Sequence, residues 1–338
     1  MAQIGVAVAA SLYSRSMDAA ATVTKGYQGL REGAAWMDLS ARGKIRVLGE
    51  DRARLLHAMT TQDVQSLTPG RGCYAFFLNA QGRILGDVNV FCREDCFLLD
   101  TEPETRQKLF DHIERYIIAD DVTLEDATGE MATIAIEGPQ AAAILEHLGA
   151  PVPEADYATR AWSGMTIARV SSTGMGGFFI FLNPATKGDL ITALDAEGIA
   201  EATPEDARTV RIEHGRPRYG EEITERYLVQ ETAQLQAVSF SKGCYLGQEI
   251  VERVRSRAQI HRVLRRVEVD MPEAPAADSK LKSADGQAEA GEIASATFSP
   301  ALGKILALAY VRTAFAEPGT ELRLPAQVGP GNVRVLVL

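Results

Sequence analysis

The sequence predicts an α+β protein whose last part is a small antiparallel β-barrel. Three observations carry that expectation. Residues 73–100 (CYAFFLNAQGRILGDVNVFCREDCFLLD) hold three apolar runs separated by turn residues, the pattern of a strand meander. Segments such as PEDARTVRIE, with a proline start and an acidic first turn, read as helices. From Gly291 onward, short apolar strands alternate with Gly and Pro turns, as in a small closed sheet. The chain has 338 residues, more than one simple core supports, so two or three domains are expected.

In chain order, residues 17–36 have helical spacing and end near Gly33. Residues 44–48 (KIRVL) alternate like a strand, and Asp51 opens a helix with Leu55, Leu56 and Met59 on one face. Pro69-Gly70 then breaks the chain. The three strands turn at 79–82 and 93–95, which sets Cys92 and Cys96 facing each other across the second turn. Pro103 opens a helix to about Ile118. Residues 122–137 return to strand, and Gly138-Pro139 introduces the helix AAAILEHLG. TIARVSSTGMGGFFIFLN reads as a hairpin with a glycine-rich turn. A dinucleotide fingerprint would need a helix after those glycines, and a strand follows. Residues 187–197 and 204–213 are helices. Residues 271–290 are rich in Pro, Ala and charge, and read as a surface loop or a weak hairpin.

Composition narrows the function. A net charge of −10 leaves no broad basic face for nucleic acid, although a local basic cluster can still meet a small anion. No apolar run is long enough for a membrane helix. The N-terminal MAQIGVAVAASLYSRS has no basic residue before its apolar patch, which argues against a secretory signal. Its lack of acids before Asp18 leaves a transit peptide as the alternative. Four cysteines set no disulfide framework, and five histidines form no HxH or HExxH arrangement, so no metal centre is expected. A reducing cytoplasm is the expected compartment. Neither GxxxxGK[ST] nor GxSxG occurs.

The segment 239–253, SFSKGCYLGQEIVER, carries the most chemistry. Cys244 stands between Lys242 and two glycines, Gly243 and Gly247, just before the start of a helix or strand. A nearby ammonium and exposed backbone N–H groups favour a thiolate, and glycines let backbone approach a ligand. The plain alternative is a turn with a buried cysteine used for packing.

KGCYLGQE followed by Arg253 resembles the K-G-C-Y-x-G-Q-E-x-x-x-R motif of the YgfZ-type folate-binding proteins, which are similar in fold to the glycine-cleavage T-protein, an aminomethyltransferase. MDLSARGKIRVLGED, LNAQGRILGDVNVF, ARTVRIEHGRPRYGEEI and TFSPALGKILALAYV resemble T-protein segments in the same order. The resemblance implies a three-domain cloverleaf: residues 1–43 with 127–208, residues 44–126 with 209–259, and a barrel over 260–338. It also implies a central channel for tetrahydrofolate. Cys244 and Asp87 are the implied reactive groups. Lys242, Gly243, Tyr245, Gly247, Gln248, Glu249, Arg253, Glu231 and Tyr74 are the implied cofactor-binding residues.

Two departures from the T-protein bear on mechanism. Cys244 stands where that enzyme has an acid. The turn from Thr173 to Phe179 lacks the carboxylate thought to hold the pterin. Asp87 retains the mechanistic carboxylate, with an exposed strand aspartate as the alternative. Seven basic groups (Arg253, Arg255, Arg257, His261, Arg262, Arg265, Arg266) fit an anionic folate tail, an acidic partner or a merely solvated strand. The resemblance implies a tetrahydrofolate-binding accessory factor for iron–sulfur cluster assembly or repair, working with iron–sulfur proteins or cluster carriers through one thiol. The departures imply lost transferase activity. The alternatives are an aminomethyltransferase, and a folate module with no chemistry of its own.

Overall fold

A computed structural model describes residues 23–257, 260–325 and 331–338. The expected helix start at 17–22 and the N-terminal targeting expectations lie outside these residues. The elements in order are α1 (Lys25–Glu32), β1 (Ala35–Asp38), β2 (Gly43–Leu48), α2 (Arg52–Met59), β3 (Gly72–Leu78), β4 (Ile84–Cys92) and β5 (Phe97–Thr101). Then come α3 (Arg106–Glu114), β6 (Thr123–Asp126), β7 (Ala132–Glu137), α4 (Ala141–His147), β8 (Thr159–Trp162), β9 (Met165–Ala168) and β10 (Gly177–Leu182). The chain continues through α5 (Lys187–Ala196), β11 (Ala200–Glu201), α6 (Pro204–Glu213) and α7 (Gln248–Arg257). The last part holds β12 (Arg262–Asp270), β13 (Lys280–Ser283), β14 (Glu289–Ser299), β15 (Lys304–Arg312), β16 (Glu321–Leu324) and β17 (Gly331–Val335).

The strands form two open sheets and a closed barrel. The first sheet runs β11-β1-β7-β10-β9-β8, and the second β3-β4-β5-β2-β6. The barrel closes as β12-β15-β14-β13-β16-β17, with β17 returning to pair β12. This is the α+β architecture with a C-terminal antiparallel barrel that the sequence predicts.

Side-chain parity builds the layers. On β10, Phe178, Ile180 and Leu182 face α4 and α5, while Phe179 and Phe181 face the opposite side. There they meet Leu30 of α1, Val210 of α6 and two residues of the second sheet, Phe91 and Leu98. Phe91 and Phe181 meet edge to face at 5.5 Å, so the sheets share one core. Burying each such ring stabilises the fold by about 1.5–3 kcal/mol. In the second sheet Ala75, Phe77, Val88 and Val90 pack against α2 and α3. Parity then turns Tyr74, Asp87 and Asn89 toward the first sheet.

Four expectations change in detail. The first helix ends at Glu32, and residues 35 and 36 are already strand, because Ala35 and Trp36 pair with β7 and β11. The helix opened by Pro103 stops at Glu114 and leaves through tighter turns, Tyr116 N–H to Ile113 O and Ile117 N–H to Glu114 O. The hairpin register pairs Cys92 with Phe97, so Cys92 and Cys96 do not sit opposite each other. The segment at 271–290 does form a hairpin, β13 pairing with β14, but it is not outside the core, since the fully buried Leu281 completes the barrel wall. One large apolar residue in a polar stretch was too faint a signal for a core position.

Candidate functional site

A cavity of about 390 Å³ opens between the sheets and the chain that follows α6. Tyr74, Asp87 and Asn89 line it from the second sheet, and Met37, Arg42 and Phe179 from the first sheet's side. Arg211, Arg216 and Arg218 add a cationic wall. The wall is placed by α6, whose start is fixed by Thr203. Its hydroxyl accepts from Asp206 N–H, and the Asp206 carboxylate accepts from Thr203 N–H, a reciprocal cap.

The charges in this cavity are mostly paired. Arg42 grips Asp100 through Nε (3.0 Å) and Nη2 (2.8 Å) and also bonds Glu102. Burial works against the charge on Glu102, but Arg42 and Arg218 outweigh it and hold this carboxyl below its usual range. Arg211 bonds both oxygens of the fully buried Glu222, at 2.9 and 2.8 Å. Arg216 stacks over the Tyr74 ring at 5.6 Å and has no carboxylate within ion-pairing distance among the described residues.

Asp87 is the uncommitted acid. Its Oδ2 accepts from Tyr74 Oη at 2.7 Å, and Oδ1 accepts no hydrogen bond among the described residues. Burial pushes its pKa up to about 6. Glu102 adds to the rise, while Tyr74, Arg42 and Arg216 pull it back. A carboxylate that titrates near neutrality, with one oxygen open, can accept hydrogen bonds from a ligand or move a proton.

Cys244 lies elsewhere. It is the one exposed cysteine of four; Cys92 and Cys96 are buried and Cys73 half-buried. The surrounding loop is tied to α2 and to the 79–82 turn. Leu246 N–H donates to Ala58 O at 3.0 Å, and Ser239 N–H to Thr61 O at 2.9 Å. The Lys242 ammonium donates to the carbonyls of His57, Thr60 (2.7 Å) and Gln62 (3.0 Å). Gly247 has φ +82°, and a Cβ there would stand 2.6 Å from Asn79 O. Gly247→Ala is therefore expected to cost about 1–3 kcal/mol through strain and loop displacement. Urea denaturation measures this, and an unchanged midpoint would contradict the lock.

Of the residues singled out from the sequence, the structure brings Tyr74 and Asp87 together in the cavity. Cys244 and its neighbours Lys242, Gly243, Tyr245, Gly247, Gln248, Glu249 and Arg253 do not line it. Glu231 is buried away from it, accepting from Leu228 N–H (2.9 Å) and Arg262 Nε (2.9 Å). The basic cluster does not converge. Arg253 pairs with Glu249, Arg255 lies over Phe240 at 4.5 Å, and Arg262 pairs with Glu231. Arg265 and Arg266 bond the carbonyls of Ala316 and Glu213. The side chain of Arg257 is outside the described residues. The turn at 173–177 carries no acid of its own, but a carboxylate lies beneath it. Buried Glu137 accepts from Ser171 Oγ, from the N–H and hydroxyl of Ser172, and from the N–H and hydroxyl of Thr173.

Sequence reasoning missed Arg42, Arg211 and Arg216. Arg211 alone carried a signal, a charge between Val210 and Ile212 on a helix, which marks a buried charge only once its partner is known. Arg42 and Arg216 stand in the polar turns SARGK and HGRPR, which give none.

Comparison with known proteins fits this geometry. The model of the GCVT N-terminal domain matches residues 2–242, and that of the glycine cleavage T-protein C-terminal barrel domain matches residues 262–337. An aminomethyltransferase of Rubrobacter xylanophilus is 31% identical over 320 residues, covering 91% of this chain and 83% of that one. One of Streptomyces coelicolor is 30% identical over 312 residues, covering 86% and 82%. A chloroplastic protein of Arabidopsis thaliana with a provisional transferase name is 29% identical over 250 residues, and the match spans 72% of this chain and 58% of that protein. The glycine cleavage system aminomethyltransferase T from Bartonella henselae has the same fold, with a TM-score of 0.85 at 24% identity over 94% of this chain and 88% of that one. Both domain models, matched in order over nearly the whole length, make this chain a member of the GCVT (glycine cleavage T-protein) family.

Proposed function

We propose that the protein binds tetrahydrofolate in the cavity at Asp87 and serves, through Cys244, as an accessory factor of the YgfZ type in iron–sulfur cluster assembly or repair. The observation that carries this reading is the exposed thiol at the tip of a braced loop, within the sequence KGCYLGQE. A structural cysteine would be buried, as Cys92 and Cys96 are. A single thiol suits transient contact with a cluster or a mixed disulfide better than a cluster held by this chain alone. Among the described residues no cluster of His, Cys, Asp and Glu could hold a metal ion. On this reading the partners are iron–sulfur proteins or cluster carriers, met in a reducing cytoplasm. No helix among the described residues is long and apolar enough to cross a membrane.

The cavity suits the cofactor. Its volume of about 390 Å³ is in the range of small-molecule sites. The open Asp87 oxygen matches the N–H donors of a reduced pterin, and the Arg216 guanidinium, which has no carboxylate partner among the described residues, matches an acceptor or carboxylate. Tyr74 offers a ring face for stacking.

A second reading, aminomethyl transfer from a carrier protein to tetrahydrofolate, is favoured by the retained Asp87 and by the aminomethyltransferase relatives. One experiment separates the two. In cells lacking such a factor, wild type is expected to restore cluster-dependent enzyme activity, and Cys244→Ala is expected to fail while folding normally. Because the thiol is exposed, the substitution should change stability by less than about 0.5 kcal/mol. Release of ammonia and methylene-tetrahydrofolate from an aminomethylated carrier, surviving Cys244→Ser, would transfer the assignment to the second reading.

A further inference from the structure

We propose that Lys242 is a positioning residue for Cys244, holding the thiol outward rather than activating it. This rests on the reading above that the thiol is the working group.

The last carbonyls of a helix have no partners within it. At the end of α2, the motif loop supplies those partners. Leu246 N–H takes Ala58 O, and the Lys242 ammonium takes His57 O, with Thr60 O and Gln62 O just beyond the helix. A cation there also meets the negative end of the helix. An ammonium has three protons, and all three are used on backbone carbonyls. None is left for a sulfur.

The two anchors stand two residues before and two residues after Cys244. Tyr245 adds a third, buried beside the ammonium at 4.9 Å from its ring centre. The tip itself is free: a Cβ on Gly243 would meet nothing within 4 Å, and Cys244 is exposed. A fixed base with a free tip presents the sulfur to something outside this chain. Cys244 does not line the folate-sized cavity, so the thiol and the cavity are separate sites.

The test uses the full chain with Lys242→Met and Lys242→Arg. Amide exchange across 243–246 is expected to rise about tenfold in the Met variant as the loop opens locally. Restoration of cluster-dependent enzymes should fall by a similar factor, with tetrahydrofolate affinity within about twofold of wild type, because the thiol and the cavity are separate sites. Arginine reaches the same carbonyls and should recover both. The pH midpoint for alkylation of Cys244 by iodoacetamide should be the same in all three proteins.

A midpoint raised by about one unit in the Met variant, with loop exchange unchanged, would overturn the proposal and make Lys242 a thiolate activator. Equal losses of folate affinity and restoration would also overturn it, reducing Lys242 to a general stabiliser. If the Met variant does not accumulate, Lys242→Gln, which keeps an N–H donor, takes its place. Should Cys244→Ala itself restore cluster enzymes, the functional reading fails, and the exchange and alkylation measurements still decide the role of Lys242.

Discussion

Glu222→Ala is expected to destabilise the protein by about 3–5 kcal/mol, the cost of stranding a buried partner charge. Glu222 is fully buried, and both its oxygens accept from Arg211 Nη1. Its Oε2 also accepts from Arg218 N–H at 2.9 Å, which fixes the start of the cationic loop. Without the carboxylate, Arg211 keeps Glu221 and the Arg216 carbonyl but remains almost fully buried. A domain has only about 5–15 kcal/mol to lose, so this one change removes much of the margin. It should also weaken ligand binding, because Arg211, Arg216 and Arg218 all line the cavity. Glu222→Gln keeps the shape and one acceptor, and should fall between wild type and Ala. Urea denaturation at neutral pH measures both variants. A loss under about 1 kcal/mol for Ala would mean that water or Glu221 replaces the pair.

Much of the scaffold was legible because it follows local rules. Pro204, with Glu205 and Asp206 in the first turn, marks a helix start in any context. The three strands of 72–101 announce themselves by their apolar runs and turns. The core role of the strand around Leu281 was not legible: its pairing with β14 is a local hairpin, but the barrel closes over it through β16, which is distant in sequence. The site divides in the same way. Asp87 could be singled out through resemblance, and strand parity explains why it faces the cavity. Arg42 and Asp100 are 58 residues apart, and neither reveals the other without the fold. Lys242 was visible as a charge beside a cysteine, and that closeness in sequence pointed toward the thiol. In space its ammonium turns to the end of α2, because three backbone carbonyls there outcompete a neighbouring sulfur.

Asp87→Asn should separate stability from function, and the pH dependence gives the sign. Burial raises the folded-state pKa of Asp87 from 3.8 to about 6. Between those values the folded protein holds a proton that the unfolded chain has released. The neutral acid's contribution to stability is therefore complete below pH 3.8 and is lost as pH rises through about 6. At about 1.4 kcal/mol per unit, wild type loses on the order of 2–3 kcal/mol across that window from this group. Asparagine does not titrate, so the stability of Asp87→Asn relative to wild type should rise by that amount between pH 4 and pH 7. Denaturation at both pH values reads the difference directly, and an equal gap at both would mean that Asp87 titrates as it does in the unfolded chain. Binding should move the opposite way. The ionised carboxylate is the better acceptor for pterin N–H groups, so tetrahydrofolate affinity in wild type should increase as pH rises through about 6. Loss of a charge-assisted hydrogen bond is worth about 1.5–3 kcal/mol, so Asp87→Asn should bind roughly 10- to 100-fold more weakly at pH 7 and show little pH dependence. Calorimetric titration at pH 5 and pH 7 tests both statements. A variant more stable at neutral pH and poorer at binding would show that this buried carboxylate is kept for its ligand and not for the fold.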